Sequence, residues 1–445
     1  MSEQPNIYKI YKITAKLKLN SPLLIADGEN DGVIDKHILK NKKGEPFIPG
    51  TSLAGALRNL AIRKNKEIAE LLFGKSENND NDSQSAIMIN DIILKNYSLV
   101  LRDGVKIDPY TQSAINGAKY DYEAIDKGAE SEKELELIIK LREFHRNKSQ
   151  EIEEMIKFLA DVVVGGILLG ALTTKGFGKV KGEACKVYCY DFTKPNLLKA
   201  WLYQEEGVAF YEGQDTGLEN ENDLVIVADF AIKSSLIIKG GKEKHDKENH
   251  DKETKTVTLK SGDDFVIPGT SIKGVISKQA QLILDSLEQD KVFLDSLMGC
   301  SNDNEKAKSR LYVEEAYIDN TKVTAKPQSR IRIDRFTNAA MSGGLFTSEP
   351  IRQDNDEPTV RMKMTVKDCQ DYEAGLLLFI LKDLWTGVLP LGGEKLIGRG
   401  ILQGLRAEIA YRGNSFEIIE NNGMVINGAQ GLLEDCATAL VERVV

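Results

Sequence analysis

The chain has 445 residues, which at roughly 150 residues per domain predicts two or three domains. Apolar residues make up 41% and charged residues 29% of it, a globular composition that excludes collagen-like and wholly disordered proteins. The net charge of −9 argues against a nucleic-acid-binding protein that is basic overall, because phosphate contacts need Lys and Arg. A local basic groove is still compatible with this charge.

Cysteine usage and hydropathy predict the compartment. The 5 cysteines form no C-x-x-C pair, which argues against a disulfide framework and against a structural zinc site. The N-terminal residues lack the apolar run of a signal peptide. The longest apolar stretch, residues 162–172, is far shorter than the roughly 18–20 residues of a membrane-spanning helix. We therefore expect a soluble, cytoplasmic protein with no membrane partner.

The first half of the chain alternates strand and helix patterns. Apolar residues alternate within residues 8–25, which predicts a strand. Thr51 or Ser52 is a natural N-cap for a helix whose apolar face runs from Leu53 to Ala61. The later predicted elements are a strand over residues 87–94, one or two helices within 130–165, and a strand over 182–190.

The second half repeats this order. Its predicted elements are a strand over residues 224–239, a helix over 271–287, a strand over 310–318, a helix over 373–388 and a strand over 401–411. Strand–helix–strand followed by helix–strand is the order of ferredoxin-like, RRM-type folds. We therefore predict an α+β protein with two tandem ferredoxin-like domains.

Four short motifs recur in the same order about 220 residues apart, which indicates a tandem duplication. Ile-Pro-Gly-Thr-Ser at 48–52 returns at 267–271, Leu-Phe-Gly at 72–74 becomes Leu-Met-Gly at 297–299, Ile-Asp-Pro-Tyr-Thr at 107–111 becomes Ile-Asp-Arg-Phe-Thr at 333–337, and the glycines at 170, 176, 178 and 182 return at 392, 398, 400 and 404. The duplication predicts a first repeat over residues 1–192, a linker over 193–222 and a second repeat over 223–445.

The Ile-Pro-Gly-Thr-Ser motif has two interpretations. It is either a turn with a helix cap or, because a helix N-terminus presents free N–H groups, an anion-binding site. Its recurrence with a cation nearby in each repeat favours phosphate contacts. The candidate phosphate-binding residues are Gly50, Thr51, Ser52 and Arg58 in the first repeat and Thr270, Ser271 and Lys273 in the second.

The Gly-rich stretch at 170–182 is neither a dinucleotide-binding fingerprint nor a Walker A loop. Its glycine spacing is wrong, and it leads from a helix pattern into a strand pattern. It is either a tight helix-to-strand connection or a loop whose glycines let the backbone approach a polyanion. The candidate cations are Lys175, Lys179 and Lys181 and, in the second repeat, Lys395 and Arg399.

The third shared motif lies in a polar, aromatic segment of each repeat. In the second repeat Arg330 and Arg332 alternate with Ile331 and Ile333, which predicts a strand with one basic face. Such a strand suits a hairpin that lies on a phosphate backbone, and a solvated β-ribbon is the alternative. The candidate contacts here are Tyr110, Thr111, Arg330, Arg332 and Phe336.

The histidines are not arranged in a recognisable catalytic motif. The 4 histidines, at positions 37, 145, 245 and 250, form no H-E-x-x-H motif and no convincing Ser-His-Asp set. The low-complexity segment 242–254 is typical of a flexible, solvated loop, with a metal site at His245 and His250 as a weak alternative.

Taken together, these motifs resemble the RAMP superfamily, the RNA-binding subunits of CRISPR-Cas systems. The resemblance is carried by Ile-Pro-Gly-Thr-Ser-Leu-Ala-Gly-Ala-Leu-Arg at 48–58, by Leu-Phe-Gly at 72–74 and by the Gly-rich stretch. Gly-Val-Ile-Asp at 32–35 before the first motif resembles the backbone subunits of type III effector complexes. Two such subunits in one chain resemble the type III-D arrangement.

The resemblance implies an RRM-like palm with a β-hairpin thumb in each repeat. It also implies guide RNA, target RNA and other CRISPR effector subunits as partners, in a ribonucleoprotein of antiviral defence. An aspartate after the first strand of such subunits cuts target RNA, and Asp35 stands at its position. Asp35 would bind a divalent cation, with Mg²⁺ expected. Asp31 and His37 lie near enough in sequence to assist; the alternative is a solvent-exposed loop position for both, which we favour for His37.

The second repeat departs from this pattern. The residue that corresponds to Asp35 is Thr254, and the nearest carboxylates, Asp246 and Asp251, lie in a loop of different composition. We expect Asp35 to matter most for cleavage, and Asp251 to have a smaller role or to make a second, weaker cut. The alternatives are a guide-RNA scaffold that does not cut and a nuclease that processes guide RNA.

Overall fold

The computed structural model describes residues 6–28, 34–75, 83–108, 111, 114–217, 220–245, 253–301, 306–421, 423–428 and 430–443. The chain divides into two compact units. The first comprises Met1–Leu101, Tyr120–Thr173 and Phe177–Leu218, and the second Arg102–Lys119, Thr174–Gly176 and Glu219–Val445. Two short segments of the first repeat thus belong to the second unit. The boundaries predicted from the sequence stay a prediction.

The helices of the first repeat and of the segment that follows it are α1 (Gly50–Lys64), α2 (Lys66–Phe73), α3 (Ser149–Gly165) and α4 (Pro195–Leu202). The strands are β1 (Ile7–Leu19), β2 (Phe47–Ile48), β3 (Ile87–Ile89), β4 (Ile92–Lys95), β5 (Leu99–Ile107), β6 (Ala114–Ile125), β7 (Glu130–Ser131), β8 (Leu135–Arg142), β9 (Ile167–Leu168), β10 (Lys179–Asp191) and β11 (Val208–Glu212).

The helices of the second repeat are α5 (Gly269–Ser286), α6 (Val292–Met298), α7 (Asp371–Trp385) and α8 (Gln430–Val441). The strands from residue 224 to 325 are β12 (Leu224–Ile232), β13 (Lys239–His245), β14 (Glu253–Thr258), β15 (Lys260–Ser261), β16 (Asp264–Ile267), β17 (Cys300–Ser301), β18 (Lys306–Ala307), β19 (Leu311–Val313), β20 (Ala316–Tyr317) and β21 (Val323–Ala325). The later strands are β22 (Gln328–Ile333), β23 (Ala340–Glu349), β24 (Ile351–Gln353), β25 (Val360–Val366), β26 (Leu402–Tyr411), β27 (Asn414–Glu420) and β28 (Met424–Asn427).

Each repeat has its own antiparallel sheet, and the two sheets have the same strand order. In the first repeat β10, β1, β8 and β3 are successive neighbours, with α1 after β1 and α3 after β8. In the second repeat β26, β12, β25 and β19 stand in the same order, with α5 after β12 and α7 after β25. This is the ferredoxin-like strand order, so the predicted α+β class with tandem ferredoxin-like domains is confirmed.

Each sheet carries additions beyond its ferredoxin-like core. β11 pairs with β10, and β27 and β28 extend the sheet beyond β26. The predicted linker therefore contains α4 and β11, and β11 joins the sheet edge of the first unit. Within the described residues, none of the helices is long and apolar enough to cross a membrane.

One predicted helix is wrong. Residues 135–142, which we expected to belong to a helix, form strand β8 in antiparallel register with β1. Leu135, Leu137, Ile139 and Leu141 are buried while the residues between them are partly exposed, which is strand alternation. The apolar pair Ile138–Ile139 obscured this period of two, because its residues face opposite sides of the sheet.

A β-hairpin is inserted between the second and third core strands of each repeat. In the first repeat β5 and β6 form a two-stranded hairpin, and in the second β22 and β23 pair with each other. The resemblance predicted these thumb insertions, and they are confirmed as part of the fold. The hairpins expose large apolar side chains, among them Leu101, Ile107, Ile331 and Ile333.

Candidate nucleic-acid interface

The repeated Ile-Asp-x-x-Thr motif forms the turn at the tip of each hairpin. Asp108 Oδ1 accepts hydrogen bonds from the Thr111 N–H (2.7 Å) and from its hydroxyl (2.9 Å). Asp334 Oδ1 accepts from the N–H groups of Phe336 (2.9 Å) and Thr337 (2.8 Å). Since an aspartate that binds the backbone two or three residues later closes a turn, the motif recurs because both hairpins need this turn.

The tip turn of the second hairpin presents an aromatic ring. Backbone N–H groups of Thr337 and Phe336 hold the pKa of Asp334 below its usual range, so the carboxylate that closes the turn stays charged. Phe336 is 89% exposed. Its counterpart in the first repeat, Tyr110, lies outside the described residues. An exposed ring at a rigid tip is a platform on which a base can stack.

Both faces of the strand before this tip are exposed, and its predicted basic face stays a prediction. Ile331 and Ile333 are 59% and 64% exposed, and Arg332 is also exposed, so both faces are open. Arg330 Nη2 lies 2.5 Å from Glu394 Oε1, which joins this arginine to the Gly-rich turn. Arg332 therefore remains the more available cation of the pair.

Asp35 is bound to the base of the first hairpin. The segment around Lys36 pairs in parallel with Tyr122 of β6. The Asp35 N–H donates to the Asp121 carbonyl (3.0 Å), and the Asp121 N–H donates to Asp35 Oδ2 (2.8 Å). Asp35 is nevertheless exposed. The exposed carboxylate is thus held in one orientation by the strand that carries the thumb.

Further ionisable side chains share this position. Because alternate residues of paired strands face the same side, Asp35 and His37 lie on one face with Asp121 and Glu123. His37 Nδ1 is 3.9 Å from Glu123 Oε2, which also lies 3.3 Å from Lys40 Nζ. His37 could be singled out from the sequence, but Asp121 and Glu123 could not, because strand pairing brings them together with Asp35 from far apart in the chain.

The second repeat has the same pairing without the carboxylate. Strand β14 pairs in parallel with β23, with Lys255 opposite Thr347. Lys255 corresponds to Lys36 when the two Ile-Pro-Gly-Thr-Ser motifs are aligned, so the residue at the position of Asp35 is Thr254. Asp31, Asp246 and Asp251 lie outside the described residues.

The helix starts differ from the predicted caps. Helices α1 and α5 begin at Gly50 and Gly269, and a proline stands at each N-cap position without a side-chain hydrogen bond. Neither Thr51 nor Ser52 is the N-cap, so that expectation was wrong. The Gly50 N–H donates to Asp91 Oδ1 at 2.9 Å, so a carboxylate of the chain itself already uses part of the anion-binding end of α1.

Lys273 is buried in the second unit. It is 5% exposed, and its Nζ donates to Ser309 Oγ (2.5 Å), the Leu311 carbonyl (2.9 Å) and Thr174 Oγ1 (3.3 Å). Burial, with a smaller contribution from Lys175, lowers the pKa of Lys273 to about 7. Lys273 therefore supports the fold of its own unit, and an RNA contact by it stays a prediction.

The glycines of the Gly-rich stretch fit against protein backbone. A Cβ on Gly178 would lie 2.0 Å from the Leu169 carbonyl oxygen, and a Cβ on its equivalent Gly400 would lie 1.8 Å from that of Leu391. Both have positive φ, 79° and 82°. Of the two interpretations, these contacts favour the tight helix-to-strand connection at these two positions.

Arg399 ties the second Gly-rich turn to the second hairpin. It is 3% exposed, and it donates to Gln328 Oε1 (2.7 Å) and Ser348 Oγ (3.3 Å). Its Nη1 lies 3.2 Å from Glu394 Oε2. Burial lowers the pKa of Arg399. An RNA contact by this arginine stays a prediction, and its partner Glu394 could not be identified from the sequence motifs.

The remaining residues predicted to contact RNA differ in solvent exposure. Thr51 and Thr111 are exposed, and Ser52, Arg58, Lys175, Lys179, Thr270 and Ser271 are partly buried. Their contacts with RNA stay predictions.

The residues around Asp35 could hold an oxygen-coordinated cation only if the bound RNA supplied further ligands. In the part of the chain that the structure describes, no three His, Cys, Asp or Glu side chains are grouped closely enough to hold a metal ion. Asp35 offers a hard carboxylate oxygen, the donor type that Mg²⁺ prefers. Phosphate oxygens of a bound RNA would have to supply further ligands, as they do in many phosphoryl-transfer sites.

The sequence profile of the RAMP superfamily matches residues 16–181 and again residues 229–403. The chain belongs to the RAMP superfamily. The two matches coincide with the two ferredoxin-like cores, so the chain is a tandem pair of RAMP units and a CRISPR-associated RNA-binding subunit. No curated protein matches it.

Proposed function

We propose that this RAMP protein is a guide-RNA-binding backbone subunit of a type III effector complex, and that its first repeat cuts target RNA at Asp35. The observation that carries the proposal is the exposed Asp35 carboxylate, whose Oδ2 accepts a hydrogen bond from the Asp121 N–H at the base of the first thumb. A carboxylate fixed next to the element that orients the RNA can act on a bound phosphate.

In this proposal the two repeats have different roles. Both hairpins hold RNA, because both have the same tip turn and exposed apolar strands. The first repeat also cuts, because only its paired segment carries a carboxylate where the second has Thr254. We infer a type III-D arrangement, in which the two backbone units of one chain can take different roles.

The chemistry is a transesterification within the target RNA. The ribose 2′-oxygen attacks the adjacent phosphorus, the bond from phosphorus to the 5′-oxygen breaks, and a 2′,3′-cyclic phosphate and a 5′-hydroxyl result. The 2′-OH proton leaves to water, and water protonates the leaving 5′-oxygen. A divalent cation held by Asp35 and the RNA would stabilise the charge that develops on the phosphate. The thumb contributes alignment of the attacking oxygen with the leaving oxygen.

The proposal is tested with Asp35→Asn in the assembled complex. An amide oxygen can still accept from the Asp121 N–H, so the variant keeps the local fold but loses the negative charge. Cleavage of a labelled complementary RNA in Mg²⁺ should fall by about 100-fold or more, roughly 3 kcal/mol in activation free energy. Guide-RNA binding should stay within about twofold of the wild type, since Asp35 is not among the residues that we propose to hold guide RNA. Asp263→Asn, at an exposed turn, is the matched control.

Three outcomes separate the alternatives. Wild-type cleavage that EDTA abolishes, together with its loss in Asp35→Asn, supports the proposal. No target cleavage by the wild-type complex identifies a scaffold. Cutting of precursor guide RNA without added target identifies a processing nuclease.

A further inference from the structure

An acidic stretch of sequence follows the first repeat. Residues 200–232 contain 8 Asp and Glu residues and no Lys, Arg or His. A stretch of this charge repels RNA phosphates, although it belongs to an RNA-binding chain. Residues 213–217, which follow the end of β11, lie within it. We call these five residues the acidic strap.

The strap lies beside two lysines that are candidate RNA contacts. Lys179 and Lys181 are alternate residues of β10, so their side chains face the same side of the sheet. Asp215 Oδ2 is 2.8 Å from Lys181 Nζ. The hydrogen bond from Lys181, with a smaller contribution from Lys179, lowers the pKa of Asp215, so this carboxylate stays charged. Asp215 therefore occupies the place at Lys181 that an RNA phosphate would need.

The two ends of the strap are held differently. The Gly213 N–H donates to the Cys185 carbonyl (3.0 Å), and a Cβ on Gly213 would lie 2.8 Å from the Ala160 carbonyl oxygen. Among the described residues, no atom lies within 4 Å of a Cβ built on Gly217, and the Asp215 side chain is 51% exposed. Exposed ion pairs contribute little to stability, so the contact at Asp215 is the weak one.

The second repeat uses the corresponding carboxylate in another way. At the positions of the two lysines it has Ile401 and Gln403. Strands β11 and β27 occupy the same place in the two sheets, and counting from them puts Glu420 at the position of Asp215. Glu420 Oε2 accepts a hydrogen bond from Nε1 of the buried Trp385 at 2.7 Å. This carboxylate thus serves the core of its repeat, whereas Asp215 meets a partly exposed lysine.

We propose that the acidic strap is an autoinhibitory contact, in which Asp215 covers Lys181 in the free protein and is displaced when an RNA phosphate binds there. Displacement lowers the affinity of every RNA that contacts Lys181 by the same factor. An RNA that makes few other contacts is therefore released first, whereas a guide with many contacts stays bound. The inference rests on the guide-RNA binding of the proposed function and not on cleavage at Asp35.

A double-mutant cycle at Asp215 and Lys181 tests the contact in the full-length chain. Asp215→Asn keeps the size of the side chain and removes its charge, and it should tighten guide-RNA binding by about two- to fivefold, the range of an exposed ion pair. Lys181→Ala should weaken binding. Combined with Lys181→Ala, Asp215→Asn should lose most of its effect, because the lysine that the strap covers is gone. Filter binding measures all four proteins.

Glu183→Gln is the matched control for local charge. Glu183 is exposed on the strand that carries Lys181 and lies outside the strap. Its loss changes the local field but uncovers neither lysine, so guide-RNA affinity should change by less than about twofold.

Hydrogen exchange reports displacement of the strap without any substitution. When guide RNA binds the wild-type chain, the amides of residues 214–217 should exchange faster, because the strap leaves Lys181. Helix α4, which lies in the same acidic stretch but outside the strap, is the internal reference and should exchange at an unchanged rate.

Each outcome decides the inference. Tighter binding by Asp215→Asn that depends on Lys181, together with faster exchange of the strap, supports it. Unchanged affinity in Asp215→Asn, or an equal gain in Glu183→Gln, overturns it and leaves the ion pair as part of the fold. Slower or unchanged exchange of the strap with RNA bound also overturns it. In these cases guide binding by the wild type still stands, whereas a wild-type chain that binds no guide RNA overturns the proposed function as well.

Discussion

The two repeats use different side chains to hold their Gly-rich turns in place. Each must fix its Gly-rich turn against the return strand of its hairpin. In the first repeat Phe177 packs edge-on against Tyr122, with ring centroids 5.9 Å apart. In the second, Arg399 stands at the position of Phe177 and binds Ser348 and Gln328. The backbone of the connection is retained while its side chains change from an aromatic pair to a hydrogen-bonded cation.

The difference indicates which parts of the shared motifs serve the fold. Glycines that pack against the backbone of the preceding segment recur in both repeats, as do the aspartates that close the hairpin tips. The carboxylate at Asp35 does not recur, although the parallel pairing around it does. We therefore assign the shared glycines, tip aspartates and strand pairing to the fold and to RNA binding. The Asp35 carboxylate, which is found in the first repeat alone, is assigned to cleavage.

The largest expected effect tests a shared glycine. Gly400→Ala should abolish folding of the second repeat or cost more than about 3 kcal/mol, since its Cβ would lie 1.8 Å from the Leu391 carbonyl at a positive φ. Gly398→Ala is the control, because it has positive φ but open space, and it should cost about 1 kcal/mol. Chemical denaturation of both variants measures the difference. Equal costs would show that φ alone, and not the close approach, requires glycine here.

The second-largest expected effect concerns the pH dependence of stability. It should arise at the start of α5 and not at the start of α1, because only α5 carries a buried lysine there. The folded pKa of Lys273, about 7, is below its unfolded value, so the unfolded chain binds more protons between these two values. Lys273 thus contributes a free energy of unfolding that rises with pH from about 7 to 10, by about 3 kcal/mol. Lys273→Met should remove this rise, whereas the exposed-loop variant Lys42→Met should keep it. Parallel pH curves for Lys273→Met and the wild type would contradict the assignment.

Much of the fold follows from local pattern, and the exceptions have physical causes. The duplication and the strand–helix order could be predicted, because periodicity and turn residues are encoded locally, and the thumb hairpins were implied by the resemblance to the RAMP superfamily. Strand β8 was mistaken for a helix, since its adjacent isoleucines disguise alternation. Asp121 and Asp91 could not be placed, because only tertiary pairing brings them to Asp35 and to the Gly50 N–H.

The third effect tests the ionic link of the second repeat. Glu394→Gln leaves the buried Arg399 without its carboxylate and should lower the free energy of unfolding by about 1–3 kcal/mol. Leu172→Gln, at the equivalent position of the first repeat, removes no ion pair and serves as the comparison. Thermal unfolding of both measures the costs. A neutral Glu394→Gln would show that Gln328 and Ser348 suffice for Arg399.

The smallest effect concerns the second hairpin. Replacement of Arg330 and Arg332 by alanine should weaken binding several-fold for guides of unrelated sequence. The slope of log K against log salt should fall in magnitude by about 0.7 for each phosphate group that the variant no longer neutralises. Filter binding at several salt concentrations measures both the affinity and the slope. Weaker binding of one guide sequence alone would point instead to recognition of bases.

The most direct test maps the cuts in a labelled target RNA made by one complex, for the wild type, Asp35→Asn and Thr254→Ala. We expect the strongest cut that this chain makes to disappear in Asp35→Asn and to persist in Thr254→Ala. A strongest cut that survives Asp35→Asn and disappears on replacement of a carboxylate in the second repeat would contradict the division of roles between the two repeats.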